Sequence, residues 1–308
     1  MNTPAIVEPW GRESISIRLP VCDVDIAGLS VGQRDAILSS HPSFVDAKAS
    51  SGAGGISCVA ERLAAAVSIP DCDLTSAGQY APRQIRQNGV VEITGINFTA
   101  RIPLDLHGSE SGPPAARLCV AREEELPKPI VLENFLRILL AHRALGFNGM
   151  LLHSAGLVVD GRAFLFVGRS NAGKTTLSRK ADAADARVLS DDINLVLPAE
   201  DGFAVHAVPF TGEFRRRIPV EPGAVPLGGI LLLDKGPRLE LTPVGEATAV
   251  SALFAQSPFV NTSVEEASGL LDSLARLVTQ VPVARLTVAM ENGFSTIMNS
   301  VEEGLGHV

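Results

Sequence analysis

Gly168-Arg169-Ser170-Asn171-Ala172-Gly173-Lys174-Thr175 fits the phosphate-binding pattern G-x-x-x-x-G-K-[ST] at every fixed position. Each of those positions has a physical reason. The glycines let the backbone take φ > 0 and bring successive N–H groups close to phosphate oxygens. Lys174 offers a point charge to the β and γ phosphates of a nucleotide, and the Thr175 hydroxyl can ligate Mg²⁺.

The flanks agree with that reading. Ala163-Phe164-Leu165-Phe166-Val167 is an apolar, strand-like run that ends at the first glycine, and Lys174 to Ala184 contains no Gly or Pro and predicts a helix. The free N–H groups and dipole of the helix N-terminus would then face an anion. The nucleotide-binding set predicted here is Gly168, Arg169, Ser170, Asn171, Ala172, Gly173, Lys174, Thr175 and Thr176.

Upstream, Leu157-Val158-Val159 and the strand before the loop flank Asp160-Gly161, a strong short hairpin signal. The strand feeding the loop therefore pairs antiparallel with the strand before it. Common nucleotide triphosphatases with this loop instead surround that strand with parallel neighbours and helical crossovers. Met150 to Ala155 continues the strand character and carries His153. Leu132 to Leu145 has apolar residues at helical spacing and predicts a helix that leads into this region.

Downstream, Arg187-Val188-Leu189-Ser190 is a short strand ending in Asp191-Asp192. Adjacent strand-end residues point in different directions, so the two carboxylates suit different jobs: one facing an acceptor hydroxyl, the other a metal or its waters. Ile193 to Leu197, Phe203 to Val208, Gly228 to Leu233, Leu239 to Leu241 and Pro282 to Val288 read as strands. Ala247 to Ala255, Val264 to Thr279 and Phe294 to Glu302 read as helices. Pro209 to Arg217 reads as a polar, charged loop, and His206 as structural.

The first part of the chain carries no chemical signature. Ser14 to Leu19 and Val21 to Ile26 alternate as strands, Asp35 to Ser39 predicts a short helix, and Val59 to Val67 has helix-forming composition. Val90 to Thr94 and Asn97 to Ile102 predict a hairpin, and Leu118 to Val120 a strand. Ala49 to Gly55 and His107 to Pro114 read as loops, with His41 and His107 solvated. Asp71-Cys72-Asp73 is too local to form a metal site alone. The composition shifts at Lys128-Pro129, which predicts two domains, 1–128 and 129–308.

The 308 residues carry a formal net charge of −8 and a pI near 5.3. Nucleic acid and acidic membranes are therefore poor partners. Cys22, Cys58, Cys72 and Cys119 show no metal-binding spacing and read as reduced, partly buried thiols, which suits a cytoplasm. Mean hydropathy is +0.23, yet no apolar run approaches a membrane span, and Met1 to Trp10 shows no signal-peptide pattern.

His153-Ser154, the Asp160-Gly161 hairpin, Gly168 to Thr175 and Ser190-Asp191-Asp192, in that order and at those separations, resemble the catalytic domain of bacterial HPr kinase/phosphorylase. That fold is related to the nucleotide-binding part of phosphoenolpyruvate carboxykinase. The resemblance covers roughly Leu132 to Glu213 and is looser from Pro226 to Val288. In its lengths and its Pro209-Phe210-Thr211-Gly212-Glu213 loop the chain is most similar to HPr-kinase-like proteins encoded beside peptide-modification genes, lasso-peptide tailoring kinases among them.

The resemblance implies an α/β fold with a mixed-sheet P-loop kinase domain. The part before it does not match the family's usual N-terminal domain; it reads as a smaller α+β domain and, by elimination, as the part that helps recognise the substrate. The resemblance also implies ATP and Mg²⁺, with Asp191 as the base that activates a serine hydroxyl, His153 beside it as an orienting partner, and Lys174 on the phosphates. Metal ligands would be Thr175, where the family usually has serine, with Asp192 and, at the family's second metal position, Glu213. The family's stretch continues with an Arg-Gly signature, whereas this chain has Phe214-Arg215-Arg216-Arg217 after Glu213. That departure argues against the reverse, phosphorylase activity and against HPr as substrate. Arg215, Arg216 and Arg217 become candidates for phosphate or substrate contact. The expected partner is a peptide or small protein with an acceptor hydroxyl. The alternatives are a small-molecule kinase and a nucleotide-binding regulatory module without transfer. The family commonly forms rings, which makes a homo-oligomer one expectation.

Overall fold

Alternation of buried and exposed residues builds most of the first half of the protein. The computed structural model describes residues 6–46, 55–63, 82–104, 116–210, 212, 222–262 and 264–305. The chain divides into two compact units, Met1–Arg143 and Ala144–Val308. The helix at Leu132–Leu145, placed by the sequence reading in the second domain, falls almost wholly in the first unit.

In the first unit the strands are β1 (Ile6–Pro9), β2 (Glu13–Leu19), β3 (Cys22–Leu29), β4 (Val45–Asp46), β5 (Ile56–Leu63), β6 (Arg83–Gln87), β7 (Val90–Gly95), β8 (Phe98–Pro103) and β9 (Ala116–Val120). They form one sheet in the order β4-β2-β3-β5-β9-β8-β7-β6, with β1 also on β5. The hairpin expected around Gly95 is β7–β8, closed by Ile96-Asn97 with Asn97 at φ 65°.

β5 corrects the helix expected at Val59 to Val67 over residues 59–63; residues 64–67 lie outside the described residues. Ile56, Cys58 and Ala60 are buried in alternation, and the strand runs parallel between β3 and β9. Helix-forming composition is overridden there by two hydrogen-bonded neighbours and a period of two. Helix α1 (Val31–Ser40) starts earlier than expected because Ser30 and Gln33 form a reciprocal capping box. His41, expected in solvent, is buried at the end of that helix, its Nε2 3.7 Å from Glu133 Oε1 of α2 (Leu132–Leu145). Residues 49–54, Asp71-Cys72-Asp73 and His107 to Pro114 lie outside the described residues.

Cys22, Cys58 and Cys119 are free and buried. Burial pushes the Cys22 and Cys119 thiols up to about 11 and raises that of Cys58 further. Because the thiolate is the reacting species, all three should resist maleimide in the native protein at pH 8 and react only on unfolding. Peptide mapping of the label checks this; rapid native labelling of Cys58 would contradict its place in the centre of the sheet.

The second unit comprises β10 (Met150–Val159), β11 (Arg162–Val167), α3 (Lys174–Ala183), β12 (Arg187–Ser190), β13 (Ile193–Ala199), β14 (Gly202–His206), β15 (Ala224–Lys235), β16 (Glu240–Pro243), α4 (Glu246–Ala255), α5 (Val264–Gln280), β17 (Val283–Val288) and α6 (Phe294–Leu305). Asp160 and Gly161 both take positive φ, 46° and 76°, and close the β10–β11 hairpin as a two-residue turn.

β10 and β15 are long enough to serve two sheets each. One sheet runs β12-β10-β11-β15-β17-β16, and the other β10-β13-β14-β15. β11 therefore lies between an antiparallel neighbour, β10, and a parallel one, β15. The antiparallel partner is the one that the hairpin signal predicts, and the sheet is mixed.

One face of that sheet carries α3 and α6. Ala155 and Leu157 of β10, Phe164 and Phe166 of β11, and Leu231 and Leu233 of β15 form alternate-residue rows against Leu177 and Ala181 of α3 and Ile297 of α6. Leu177, Ser178 and Ala181 recur at helical spacing on the buried side of α3. Fully burying a leucine there stabilises the packing by about 1.5–3 kcal/mol. The result fixes α3, and the loop before it, over the C-terminal end of β11. Among the described residues, no helix is long and apolar enough to cross a membrane.

Candidate functional site

Register places the loop and the acidic pair on one edge. Ser154 of β10 pairs with Val167, the last residue of β11, while its N–H donates to Asp192 O at 2.9 Å. On the other side Val167 pairs with Leu232 of β15. Adjacent strands are about 4.8 Å apart, so the backbones of Val167 and Asp192 are roughly 10 Å apart across β10. A triphosphate held in the 168–175 loop can span that gap.

The loop is tightly folded. A Cβ on Gly168 would fall 2.8 Å from Ala172 Cβ and 2.9 Å from the Leu233 carbonyl. Gly168 is thus required by close approach, not by positive φ as the motif suggests. Gly173 does take the left-handed conformation, at φ 110°, and Asn171 does so at 65°. Gly173 is the N-cap of α3 and offers no side chain to the first-turn N–H groups. Lys174 is buried, and its Nζ donates to Gly168 O at 2.7 Å and Arg169 O at 3.2 Å. The ammonium therefore lies against the turn of its own loop. Arg169, Ser170, Asn171 and Thr176 are exposed, Ala172 and Thr175 half-buried. A concave turn with a cation inside and uncapped N–H groups at its end can hold an anion.

The acidic pair is held by small polar residues to which the sequence reading gave no role. Ser190 Oγ accepts from the N–H groups of Asp192 and Ile193, both at 3.2 Å, fixing the turn after β12. Buried Asn194 donates to Ser154 O at 2.8 Å and Ser154 Oγ at 3.0 Å, and Ser154 Oγ donates to Leu152 O at 3.1 Å. A buried serine and asparagine flanking two acidic residues at a strand end were the available signal.

The two aspartates differ in exposure. Asp191 is buried, 5% exposed, whereas Asp192 is half-buried. His153 stands against Asp192, with Nε2 3.5 Å from Oδ1. The resemblance set it beside Asp191. Gly212 lies directly on Asp191: a Cβ there would be 1.8 Å from Asp191 Oδ1 and 3.1 Å from Asp192 Cβ. Thus the one described glycine of the Pro209 to Glu213 segment packs against the acidic pair, and only a glycine fits.

Glu213, Arg215, Arg216 and Arg217 lie outside the described residues. His206 sits on β14 between Leu195 and Ala224, and burial lowers its pKa. Among the described residues no three or more His, Cys, Asp or Glu side chains cluster as a ready metal cage. The donors on the edge, the Thr175 hydroxyl and the Asp192 carboxylate, suit Mg²⁺, which takes one or two carboxylates and completes its shell with phosphate oxygens and waters.

A family model described as SynChlorMet cassette protein ScmC matches residues 122–302, more than half of the chain. No curated protein matches. Among solved structures, the HPr(Ser) kinase/phosphatase from Coxiella burnetii aligns over 50% of this chain and 95% of that one, with 13% identity and a TM-score of 0.30. A likeness that slight assigns no residue a role.

Proposed function

The chain belongs to the ScmC family, and from its sequence motifs and the geometry of the loop edge we propose an ATP- and Mg²⁺-dependent kinase that transfers the γ-phosphoryl group to a serine hydroxyl of a peptide or small protein. The observation that carries this reading is the shared edge: the Gly168–Thr175 loop ends β11, and Ser154 links it to Asp192 one strand away. A phosphate loop alone binds; transfer needs a proton acceptor on the side where the phosphoryl leaves.

In this scheme the loop N–H groups and Lys174 hold the phosphate chain, with the γ-phosphoryl toward the aspartates. The acceptor oxygen forms a bond to the γ-phosphorus, the bond to the β–γ bridging oxygen breaks, and ADP leaves with that oxygen. The acceptor proton passes to the Asp191 carboxylate. Bound Mg²⁺ would neutralise phosphate charge, held by Thr175 and Asp192. Glu213 as a further metal ligand, and Arg215, Arg216 and Arg217 on phosphate or substrate, are proposed on the sequence pattern alone.

One observation favours a second assignment of roles. Asp192 is the more exposed aspartate and has His153 beside it. It would then be the base, oriented by His153, with Asp191 a positioning residue under Gly212.

Incubation with γ-labelled ATP, Mg²⁺ and candidate peptides, including any precursor peptide encoded beside the gene, tests the function. Phosphoserine located by mass spectrometry is the expected product. Label on a metabolite alone would support a small-molecule kinase, and tight ATP binding without transfer a regulatory module.

A further inference from the structure

We propose that Lys235 is a second cation of the nucleotide site and binds the α-phosphate, on the side of the loop away from the aspartates. This rests on the kinase reading above and adds to it a residue outside the loop motif.

The assignment follows from the sheet. Beyond the core, three alternate-residue rows facing α3 reach the loop edge together. On β10 the row Leu157, Ala155 ends in His153; on β11 the row Phe164, Phe166 ends at Gly168; on β15 the row Leu231, Leu233 ends in Lys235. The β10 side leads to Asp191 and Asp192. The β15 side leads to Lys235, which lies over the far end of the loop: its Cε is 3.7 Å from where a Cβ on Gly173 would stand. The stem thus covers the glycine that caps α3.

Among the described residues no anion takes up the charge at that spot. Neighbouring Asp234, on the opposite face of β15, is paired with Arg285 of β17. Among the described residues the Lys235 ammonium has no hydrogen-bond or ion-pair partner, and the side chain is exposed. With the γ-phosphoryl toward the aspartates, a triphosphate laid along the loop directs its α-phosphate and nucleoside to the β15 side. A lysine there meets a phosphate that ATP and ADP share. Its stem can lie along the sugar while its head reaches the phosphate.

Calorimetric titration of the full chain with MgATP and MgADP tests this in wild type, Lys235→Met, Lys235→Arg and Lys174→Met. Lys235→Met keeps the stem, and its unfolding temperature without nucleotide should equal that of wild type. It should bind ATP and ADP each about tenfold more weakly, as expected for loss of one charge-assisted contact. Lys235→Arg should stay within about threefold of wild type, since the charge is retained. Unchanged binding of both nucleotides by Lys235→Met, with Lys174→Met impaired, overturns the role of Lys235 and leaves the loop reading intact. A loss confined to ATP also overturns it, because Lys235 would then face the γ-phosphate. If wild type binds neither nucleotide, both readings fail.

Discussion

Lys174→Met should weaken ATP binding about a hundredfold and remove phosphoryl transfer at cellular ATP levels. A lysine on the β and γ phosphates makes two charge-assisted hydrogen bonds, each worth about 1.5–3 kcal/mol. Part of that is offset because the ammonium must leave Gly168 O and Arg169 O, its partners in the loop turn. Thermal unfolding separates binding from folding. At ATP one hundred times the wild-type Kd, ligand stabilisation is about 2.7 kcal/mol, and a hundredfold weaker variant would keep about 0.4 kcal/mol of it. The nucleotide-dependent rise in Tm should therefore nearly vanish in Lys174→Met. The unfolding temperature without nucleotide changes much less, because methionine fills a similar volume and removes a costly buried charge as well as its bonds. An undiminished ATP-dependent rise would show that the loop does not hold the phosphates.

The loop, the hairpin and the acidic strand end were legible in the sequence because each rests on local chemistry. Asp160-Gly161 sets a turn through two positive φ angles, and Gly168 to Thr175 is one continuous motif. Where a feature depends on what lies next to it in space, the sequence is silent or misleads. Val59 to Val67 carries helix formers, yet β9 on one side and β3 and then β1 on the other make its first half a strand. His41 looks solvated in a polar stretch and is buried beside Glu133, ninety-two positions on. Gly212 lies within a loop that the sequence marks as notable, but its contact with Asp191 bridges β12 and the segment after β14, and no local pattern encodes it. Lys235 was invisible for a related reason. It continues an apolar row, and its nearness to Gly173 exists only because β15 runs parallel to β11.

Those long-range contacts decide which aspartate does what. With Asp191 as the base, Asp191→Asn should lower transfer by about 10²–10⁴-fold, the usual contribution of a general base, and leave the Kd for ATP within about twofold. Asp192→Asn should instead raise the Mg²⁺ concentration needed for half-maximal rate, because a metal donor has been lost. His153→Gln would then have a small effect, since its partner at 3.5 Å is Asp192. If the roles are exchanged, the pattern inverts. Asp192→Asn and His153→Gln would both cut the rate and shift its dependence on pH, and Asp191→Asn would act mainly through stability. Gly212→Ala adds a further check without replacing either carboxylate. Its methyl would stand 1.8 Å from Asp191 Oδ1, so the carboxylate or the backbone must move. A displacement near 1 Å at a reacting group can cost about 10²-fold in rate. A large loss in Gly212→Ala with ATP affinity kept would show that the acidic pair must hold its place for transfer, and the two Asp→Asn variants then say which carboxylate reacts; a normal rate would remove Asp191, because the crowding there cannot be avoided by a side chain that must be in place for chemistry.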